Sequence, residues 1–184
     1  MGILLHVAHA LWPHLVPVFA AGAVMLGVLI ALPSVASAGS SLNKYERELV
    51  QLINEERTDR DLPKLHVHDR LTAAAQAHSA DMGERQYFEH DTMGGETWRK
   101  RLQSFGYARE DYDVWKAGEN IGWGAGLSSS PVRIVDQWMK SPAHRAVILK
   151  KCFRDVGVGA VSCDGYGAVE GMVWFFTFDA GRRR

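Results

Sequence analysis

Two alternating segments joined by a short turn constrain the fold of this 184-residue chain more than any other feature. Residues 155–162 read DVGVGAVS, with valine, alanine and serine at every second position, and residues 169–178 read VEGMVWFFTF. Alternation with a period of two predicts β-strands, and the DGYG turn at residues 164–167 predicts that they pair as an antiparallel hairpin. The glycines of the first strand further indicate that another element packs closely against it.

Helical periodicity is the main signal in the chain before the hairpin. The predicted helices cover residues 44–60, 70–86 and 97–105 and a segment that begins at Pro131. Asp69 and Ser130 are of the N-cap type that begins a helix, and we assign them to the second and fourth helices. Ser141 followed by Pro142 predicts that the chain restarts as a further helical segment, because proline is favoured at the first helical position.

Apolar stripes predict which helix faces are buried. In the first helix the stripe comprises Tyr45, Leu49, Leu52, Ile53 and Glu56, and it leaves Arg57 outside. In the second helix the stripe comprises Leu71, Ala74, Ala75, His78 and Met82. In the fourth helix it comprises Val132, Val135 and Trp138, so Trp138 is predicted to be structural and not ligand-binding.

The glycine-rich segment AGENIGWG at residues 117–124 is predicted to form a strand or an extended turn, and we count it as one more strand. Irregular chain is predicted at residues 107–116 and a flexible loop at residues 126–130. Together these elements predict an α+β fold in which about four helices pack on a small three-stranded antiparallel sheet.

The first 38 residues contain no Asp, Glu, Lys or Arg, and residues 16–32 are almost wholly apolar. Val35-Ala36-Ser37-Ala38 then gives the small-x-small pattern of a signal-peptidase site, so residues 1–38 are interpreted as a signal peptide. An uncleaved N-terminal anchor is the alternative, because the start carries histidines in place of Lys or Arg and the apolar run approaches the ~20 residues that span a bilayer. The first interpretation predicts a secreted protein and the second a membrane-anchored one with its domain outside the cytoplasm.

Charged residues begin only after residue 38, where 21 Lys and Arg residues balance 21 Asp and Glu residues. Nucleic acids and anionic membranes require a basic excess. Neither is therefore an expected partner, and membrane contact is expected only through an uncleaved N-terminal segment.

After a linker at residues 39–44, residues 45–180 are predicted to form one domain, and residues 181–184 are interpreted as a basic, solvated tail.

The two cysteines, Cys152 and Cys163, could form a disulfide in an oxidising compartment. If the residues between them form one straight strand, the ends lie ~30 Å apart at ~3.3 Å per residue. A disulfide requires Cα atoms within ~7 Å of each other. The strand prediction therefore disfavours an intrachain bridge.

The sequence lacks the motifs of several common active sites. It contains no H-E-x-x-H and no closely spaced Cys/His ligand set, so a standard metalloprotease or zinc finger is not supported. It also contains no glycine-rich phosphate loop between a strand and a helix and no G-x-S-x-G nucleophile elbow.

Five histidines follow residue 38, and three of them have structural interpretations. His66 and His68 flank one residue in an extended stretch, and a metal could bind there, although a surface loop explains them as well. His78 lies on the buried stripe of a helix, where a hydrogen-bonded core histidine is expected.

His90, Glu119 and His144 are the candidate functional residues. His90 follows a Tyr-Phe pair at the exit from a helix, where a side chain can reach a cleft. Glu119 is a carboxylate in an otherwise apolar segment and needs a partner if it is buried. His144 follows Pro142 near a helix N-terminus and should be held rigidly.

Six fragments, taken in order, resemble the CAP superfamily of cysteine-rich secretory proteins, antigen 5 and pathogenesis-related class 1 proteins, in its bacterial SCP-like form. The fragments are LVQLINEER, LTAAAQAHSADM, YFEH, AGENIGWG, VDQWMKSPAHRAVIL, and FRDVGVGAV with the strand ending in VWFFTF. The resemblance covers about residues 45–178. It implies an α/β/α sandwich around a short antiparallel sheet, which agrees with the layout predicted above.

The resemblance also implies a cleft with two histidines and two acidic residues, in which the histidines can coordinate a divalent metal. His90 and His144 match the histidines, and Glu119 matches the glutamate of the family's GEN motif. The second glutamate of eukaryotic members falls on Ser141 in this chain. Two imidazoles and one carboxylate remain enough to hold zinc or another divalent ion weakly, with water in the open position.

Three functions compete on this basis. The first is a binding module whose cleft takes a small molecule, a lipid or a cell-envelope partner, with the metal optional. The second is an extracellular hydrolase in which His90 and His144 hold a metal and Glu119 acts as base toward a bound water. The third is a lipid or sterol carrier. We favour the binding module, because the loss of the second carboxylate weakens the hydrolase hypothesis and the fold does not fix the function.

Overall fold

The computed structural model describes residues 41–110 and 112–184. The predicted signal peptide, its alternative as an anchor, and the start of the predicted linker at residue 39 lie outside the described residues. Within the described ranges, no helix has the length and apolar character that crossing a bilayer requires.

The described residues form five α-helices and four β-strands. The helices are α1 (Lys44–Thr58), α2 (Asp69–Arg85), α3 (Trp98–Ser104), α4 (Pro131–Lys140) and α5 (Pro142–Ile148). The strands are β1 (His66–Val67), β2 (Trp115–Ala125), β3 (Asp155–Tyr166) and β4 (Val169–Arg183). A single 3-10 turn at Gly126–Ser129 takes the place of the predicted flexible loop.

The four strands form one sheet in the order β1-β3-β4-β2. β3 and β4 pair as the predicted antiparallel hairpin, and β2 pairs antiparallel with the other side of β4. β1 pairs parallel with β3 and was not predicted, because two residues are too few to show an alternating pattern. The sheet therefore has four strands instead of three, and β2 lies at its edge.

Helices cover both faces of the sheet. On one face α1, α4 and α5 pack against β3 and β4 through a core that includes Leu49, Ile53, Ile134, Trp138, Ile148, Val156, Val158, Phe176 and Phe178. On the other face α2 contributes Met82, which packs with Ile121, Val173 and Phe175 of the strands. This arrangement confirms the predicted α+β class and the α/β/α sandwich.

The close packing predicted from the glycines of β3 is confirmed. A Cβ atom added to Gly157 would lie 2.0 Å from the carbonyl carbon of Leu71, and one added to Gly159 would lie 2.3 Å from the carbonyl oxygen of Ala75. Both neighbours are backbone atoms of α2. The helix can therefore lie directly on the strand only because these two positions have no side chain.

Side-chain caps explain where the helices begin. Asn43 caps α1 in a reciprocal capping box with Glu46, which was not predicted. Ser130 caps α4 ahead of Pro131, as predicted. The N-cap of α2 is His68 and not Asp69, because the His68 ring accepts the hydrogen bond from the backbone N–H of Arg70.

Two assignments of buried faces were wrong. Arg57 is fully buried, and its guanidinium donates to backbone carbonyl oxygens that include those of Pro63 and Ile148, at 3.0 and 2.6 Å. A long side chain that reaches the carbonyls of loops does not show in an apolar stripe. On α4, Val132 is 52% exposed whereas Ile134 is fully buried, because the inward row runs through 131, 134, 135 and 138.

The basic residues assigned to a tail belong to the sheet. β4 continues through Arg183, and Arg182 lies opposite Lys116 of β2. The Arg183 guanidinium lies 4.4 Å from the ring centre of Tyr107 and 2.7 Å from Nε2 of His68. Stacking on an aromatic ring is a common way to hold an arginine in place.

Cys152 and Cys163 are both free thiols. Cys163 lies within β3 whereas Cys152 precedes the strand.

Candidate functional site

The site is centred on Glu119, which lies in the middle of β2 and is 6% exposed. Its Oε1 accepts a hydrogen bond of 2.8 Å from Nδ1 of His90, and its Oε2 accepts one from Nη2 of Arg101. Burial of a carboxylate is unfavourable unless it is paired and hydrogen-bonded. Both oxygens of Glu119 meet that requirement.

The hydrogen bond to Glu119 fixes the tautomer of His90. A carboxylate only accepts, so Nδ1 of the ring carries the hydrogen and Nε2 keeps its lone pair in the neutral ring. The His90 side chain is 46% exposed, in contrast to its buried partner. In its neutral form the ring therefore offers a nitrogen lone pair of fixed position on a solvent-accessible side chain.

Arg101 of α3 holds the two residues together, and no sequence signal identified it. Its guanidinium pairs with Glu119 and also donates from Nη1 to the backbone carbonyl oxygen of His90, at 3.0 Å. The residue is 3% exposed although it lies in the basic run WRKR. Neighbouring basic residues made it look like part of a solvated helix face.

Asp179 of β4 faces Glu119 across the β2–β4 pair and is completely buried. Neither of its carboxyl oxygens accepts a hydrogen bond from a described residue. Burial, and then the negative charge of Glu119, raise the pKa of Asp179 well above its usual value. A protonated carboxyl at this position would have an O–H that can donate to Glu119.

His144 is attached to the same strand from the other face of the sheet. Asn120, the residue after Glu119, donates from Nδ2 to the backbone carbonyl oxygen of His144 at 3.0 Å. Successive strand residues point to opposite faces. On the α2 side of the sheet, β2 orients His90 through Glu119. On the α5 side, the same strand positions His144 through Asn120. Both contacts lie at the edge of the sheet, because β2 is an edge strand.

A groove of about 300 Å³ lies beside His144. It is lined by Phe88, Ile121, Gly122, Trp123, Gln137, Trp138, Ser141 and His144. Ser141 has the extended backbone of an N-cap, but its side chain makes no capping hydrogen bond to α5. Its hydroxyl therefore belongs to the groove and not to the helix end.

The electrostatics link the two histidines. Partial burial, and then the positive charge that His90 carries when it is protonated, lower the pKa of His144 below its ordinary value. The His144 ring consequently stays neutral at lower pH than an ordinary histidine. A neutral ring is the form that can accept a hydrogen bond or bind a metal.

The structure thus joins His90 directly to Glu119, and it places Ser141 with His144 in the adjoining groove. In the part of the chain that the structure describes, no three His, Cys, Asp or Glu side chains are grouped as metal ligands. His66 and His68 do not form such a group either, because Nδ1 of His68 caps α2 and the Arg183 guanidinium lies 2.7 Å from its Nε2.

His78 is a core histidine, as predicted. It is 1% exposed, and its Nε2 lies 3.0 Å from the carbonyl oxygen of Glu89. Burial is the main cause that lowers the pKa of His78 to about 4.

Sequence comparisons show which family the chain is similar to. The sequence model of the cysteine-rich secretory protein family, CAP, matches residues 50–179. The chain is 34% identical over 138 residues to YkwD, an uncharacterized protein of Bacillus subtilis, and the match covers 75% of this chain and 48% of that protein. It is 31% identical over 114 residues to YlbC, an uncharacterized membrane protein of the same species, with 62% of this chain and 31% of that protein covered. The chain thus spans about half the length of these relatives or less.

Solved structures give the same fold. An extracellular protein containing an SCP domain from Bacillus anthracis superposes with a TM-score of 0.59 at 28% identity, over 76% of this chain and 40% of that chain. An outer surface protein of Borrelia burgdorferi superposes with a TM-score of 0.57 at 20% identity, over 79% and 99% of the two chains, and shows the fold alone. The family match over most of the chain and the shared fold lead to one conclusion: this protein belongs to the CAP, or cysteine-rich secretory protein, family.

Proposed function

We propose that this CAP-domain protein is an extracellular binding module whose cleft, formed by His90, Glu119, Ser141 and His144, holds a ligand together with a weakly bound divalent metal. The observation that carries the proposal is the 2.8 Å hydrogen bond between His90 Nδ1 and the buried Glu119. A surface histidine with no function does not require a buried carboxylate and a buried arginine to fix its ring. The extracellular setting is supported by the description of the Bacillus anthracis relative as an extracellular protein.

The donor set fits a divalent ion that is held loosely. Neutral imidazole nitrogens suit zinc, and a carboxylate behind one of them is the usual device that orients a metal-binding histidine. His90 and His144 would be the protein ligands, since both oxygens of Glu119 are already occupied. With Ser141 in the place of a second acid, the ion would be exchangeable. When bound, it would act as a Lewis acid that attracts an oxygen atom of the ligand.

Glu119 is poorly suited to act as a general base, which favours binding over hydrolysis. A general base must reach the proton that it removes, directly or through one water. In this site the carboxylate accepts from His90 and from Arg101, and the buried Asp179 lies opposite it on the sheet. Its role is therefore to orient His90.

A lipid carrier is also less well supported. The groove between α1 and α4 has a volume of about 230 Å³, below the ~300–1,000 Å³ of typical ligand pockets. Its rim carries Glu55, Glu56, Asp59 and Asp136, which would repel the carboxylate of a fatty acid.

Zinc titration tests the metal proposal. The wild-type protein is expected to bind zinc weakly and reversibly in titration calorimetry, and the double variant His90→Ala with His144→Ala should lose that binding. The fold should remain, because the core is built from the apolar residues of both sheet faces. Affinity is expected to fall below about pH 6, because a protonated imidazole cannot coordinate and an ordinary histidine titrates near ~6.5.

His66→Ala is the matched control, since this exposed histidine lies outside the cleft. It should leave the zinc affinity unchanged. Equal zinc affinity in the wild-type protein and the double variant would contradict the proposal and would move the metal site away from the cleft.

Export can be tested on the producing cells. The released protein is expected to begin near Gly39, because the uncharged segment before it contains Ala36-Ser37-Ala38. N-terminal sequencing of protein from the culture medium measures this. Recovery of the chain only from the membrane fraction, with residues 1–38 still attached, would support the anchor in place of the signal peptide.

A further inference from the structure

A basic pocket of about 210 Å³ lies where β2 begins and β4 ends, beside the segment that links α5 to β3. It is lined by Val114, Lys116, Cys152, Arg182 and Arg184. None of these residues lines the groove beside His144. The basic pocket is therefore separate from the proposed metal cleft.

The register of the sheet places three cations on one of its faces. Lys116 lies directly opposite Arg182 in the antiparallel β2–β4 pair, and Arg184 follows Arg182 by two residues. Side chains two residues apart in a strand point to the same face. A Cβ atom added to Gly118, two residues after Lys116, would lie 2.8 Å from the side chain of Val147 in α5. The three cations therefore lie on the α5 side of the sheet.

These cations have no counter-charge in the part of the chain that the structure describes. The five ion pairs among the described residues all lie elsewhere. Asp155 lies opposite Gly181, on the other face of the sheet, and accepts a hydrogen bond of 2.6 Å from the Tyr107 hydroxyl. Like charges directly opposite each other on neighbouring strands are destabilising. An anion bound between Lys116 and Arg182 would remove that repulsion.

Further positive charge surrounds the basic pocket. Lys150 and Lys151 immediately precede Cys152 and are exposed. Against the same segment Arg57 is fully buried, and its guanidinium donates to the carbonyl oxygens of Ile148 and Lys150 at 2.6 and 3.2 Å. The potential at the pocket is therefore positive, although the formal net charge of the chain is zero.

We propose that the basic pocket binds a phosphate monoester group, whose three terminal oxygens accept from Lys116, Arg182 and Arg184. At pH 7 such a group carries nearly two negative charges and has three strong acceptor oxygens, which match three cationic donors. The planar guanidinium also suits phosphate, because it can donate two parallel hydrogen bonds to it. A carboxylate has one charge and two oxygens, so it would leave one cation uncompensated.

The lining favours an isolated phosphate group over a bilayer surface. Val114 and Cys152 are the apolar members of the lining, and neither is among the large, exposed apolar residues of the described chain. Proteins that lie on membranes insert such residues below the headgroups. The basic pocket offers charge without that anchor.

The test uses inorganic phosphate and glycerol 1-phosphate as probes, in titration calorimetry with the purified, metal-free protein at low salt. Both probes are expected to bind, and acetate should bind at least about tenfold more weakly. Arg182→Gln should weaken phosphate binding by about tenfold, because it removes a charge-assisted hydrogen bond and a counter-charge. Lys116→Gln should act in the same direction, and the amide NMR spectrum checks that each variant is folded.

Arg133→Gln is the matched control. It removes the same charge from an exposed position of α4 outside the basic pocket, so it should bind phosphate as the wild type does. In the labelled wild-type protein, phosphate should shift the amide signals of Lys116, Cys152 and Arg184 and leave that of His144 in place. The double variant His90→Ala with His144→Ala should also bind phosphate normally, which keeps this test independent of the metal cleft.

Three results would overturn the proposal. They are the absence of phosphate binding, equal affinity for acetate and phosphate, and an equal loss of affinity in Arg133→Gln and Arg182→Gln, which would reflect overall charge alone. Vesicles of phosphatidylcholine with phosphatidic acid distinguish the remaining source of phosphate. If the protein sedimented with these vesicles but bound neither free probe, the basic surface would recognise a charged bilayer and the pocket would not be a phosphate site.

Discussion

Replacing Arg101 with methionine is expected to lower the free energy of unfolding by about 3–5 kcal/mol, because it leaves one partner of a buried ion pair without the other. Glu119 would keep its hydrogen bond from His90 but lose its counter-charge, and it would still face the buried Asp179. The backbone of His90 would lose a hydrogen bond at the same time. Urea unfolding at pH 7 measures the change.

The double variant Arg101→Met with Glu119→Gln removes both charges. It should recover part of the lost stability, because a neutral pair is less unfavourable when buried than a single charge. Lys100→Met is the matched control on the same helix, where the side chain is exposed, and it should lie within about 0.5 kcal/mol of the wild type. If Arg101→Met were as stable as Lys100→Met, the buried Arg101–Glu119 ion pair would not stabilise the protein, and this prediction would be wrong.

Trp138→Ala is expected to destabilise the protein by about 3–5 kcal/mol, the usual range for a large aromatic residue deleted from a core. Trp138 is 2% exposed, and its ring centre lies 6.1 Å from that of Phe178. Its indole Nε1 donates to the backbone carbonyl oxygen of Ile121 at 2.9 Å, so the change also leaves a strand carbonyl without its partner. A lower urea midpoint with an unchanged slope would show this loss of stability.

Val132→Ala provides the comparison on the same helix. Val132 is 52% exposed, so its truncation should change the stability by about 0.5 kcal/mol or less. A melting temperature of Trp138→Ala equal to that of the wild type would mean that α4 does not pack on the sheet through this residue.

The sequence predicted the sandwich well because its main elements carry local signals. The alternating valines and glycines of β3 and the cap Ser130 act over a few residues, so periodicity and residue type detect them. The family resemblance added the expectation that His90 and Glu119 belong to one cleft, and the structure places them in contact.

The supporting residues of the site could not be predicted, because their roles depend on contacts between distant parts of the chain. Arg101 lies in a run of basic residues, and only the fold shows that it is buried against Glu119. Asp179 faces Glu119 because of the register between β2 and β4, which alternation in either strand does not specify. Arg57 likewise finds its carbonyl partners far along the chain, near Ile148.

The position of β4 in the sheet has a consequence for how the protein assembles. β4 follows the other described elements in the chain, yet it lies between β3 and β2. During synthesis β2 is therefore made long before its one neighbour in the described sheet, and its pairing must bridge from residues 115–125 to residues 173–183. Strands that are far apart in the chain pair slowly, because the entropy cost of closing the loop between them comes before the stabilising contacts form. The carboxylate that orients His90 therefore cannot reach its paired position in the sheet until residues 173–183 have been made.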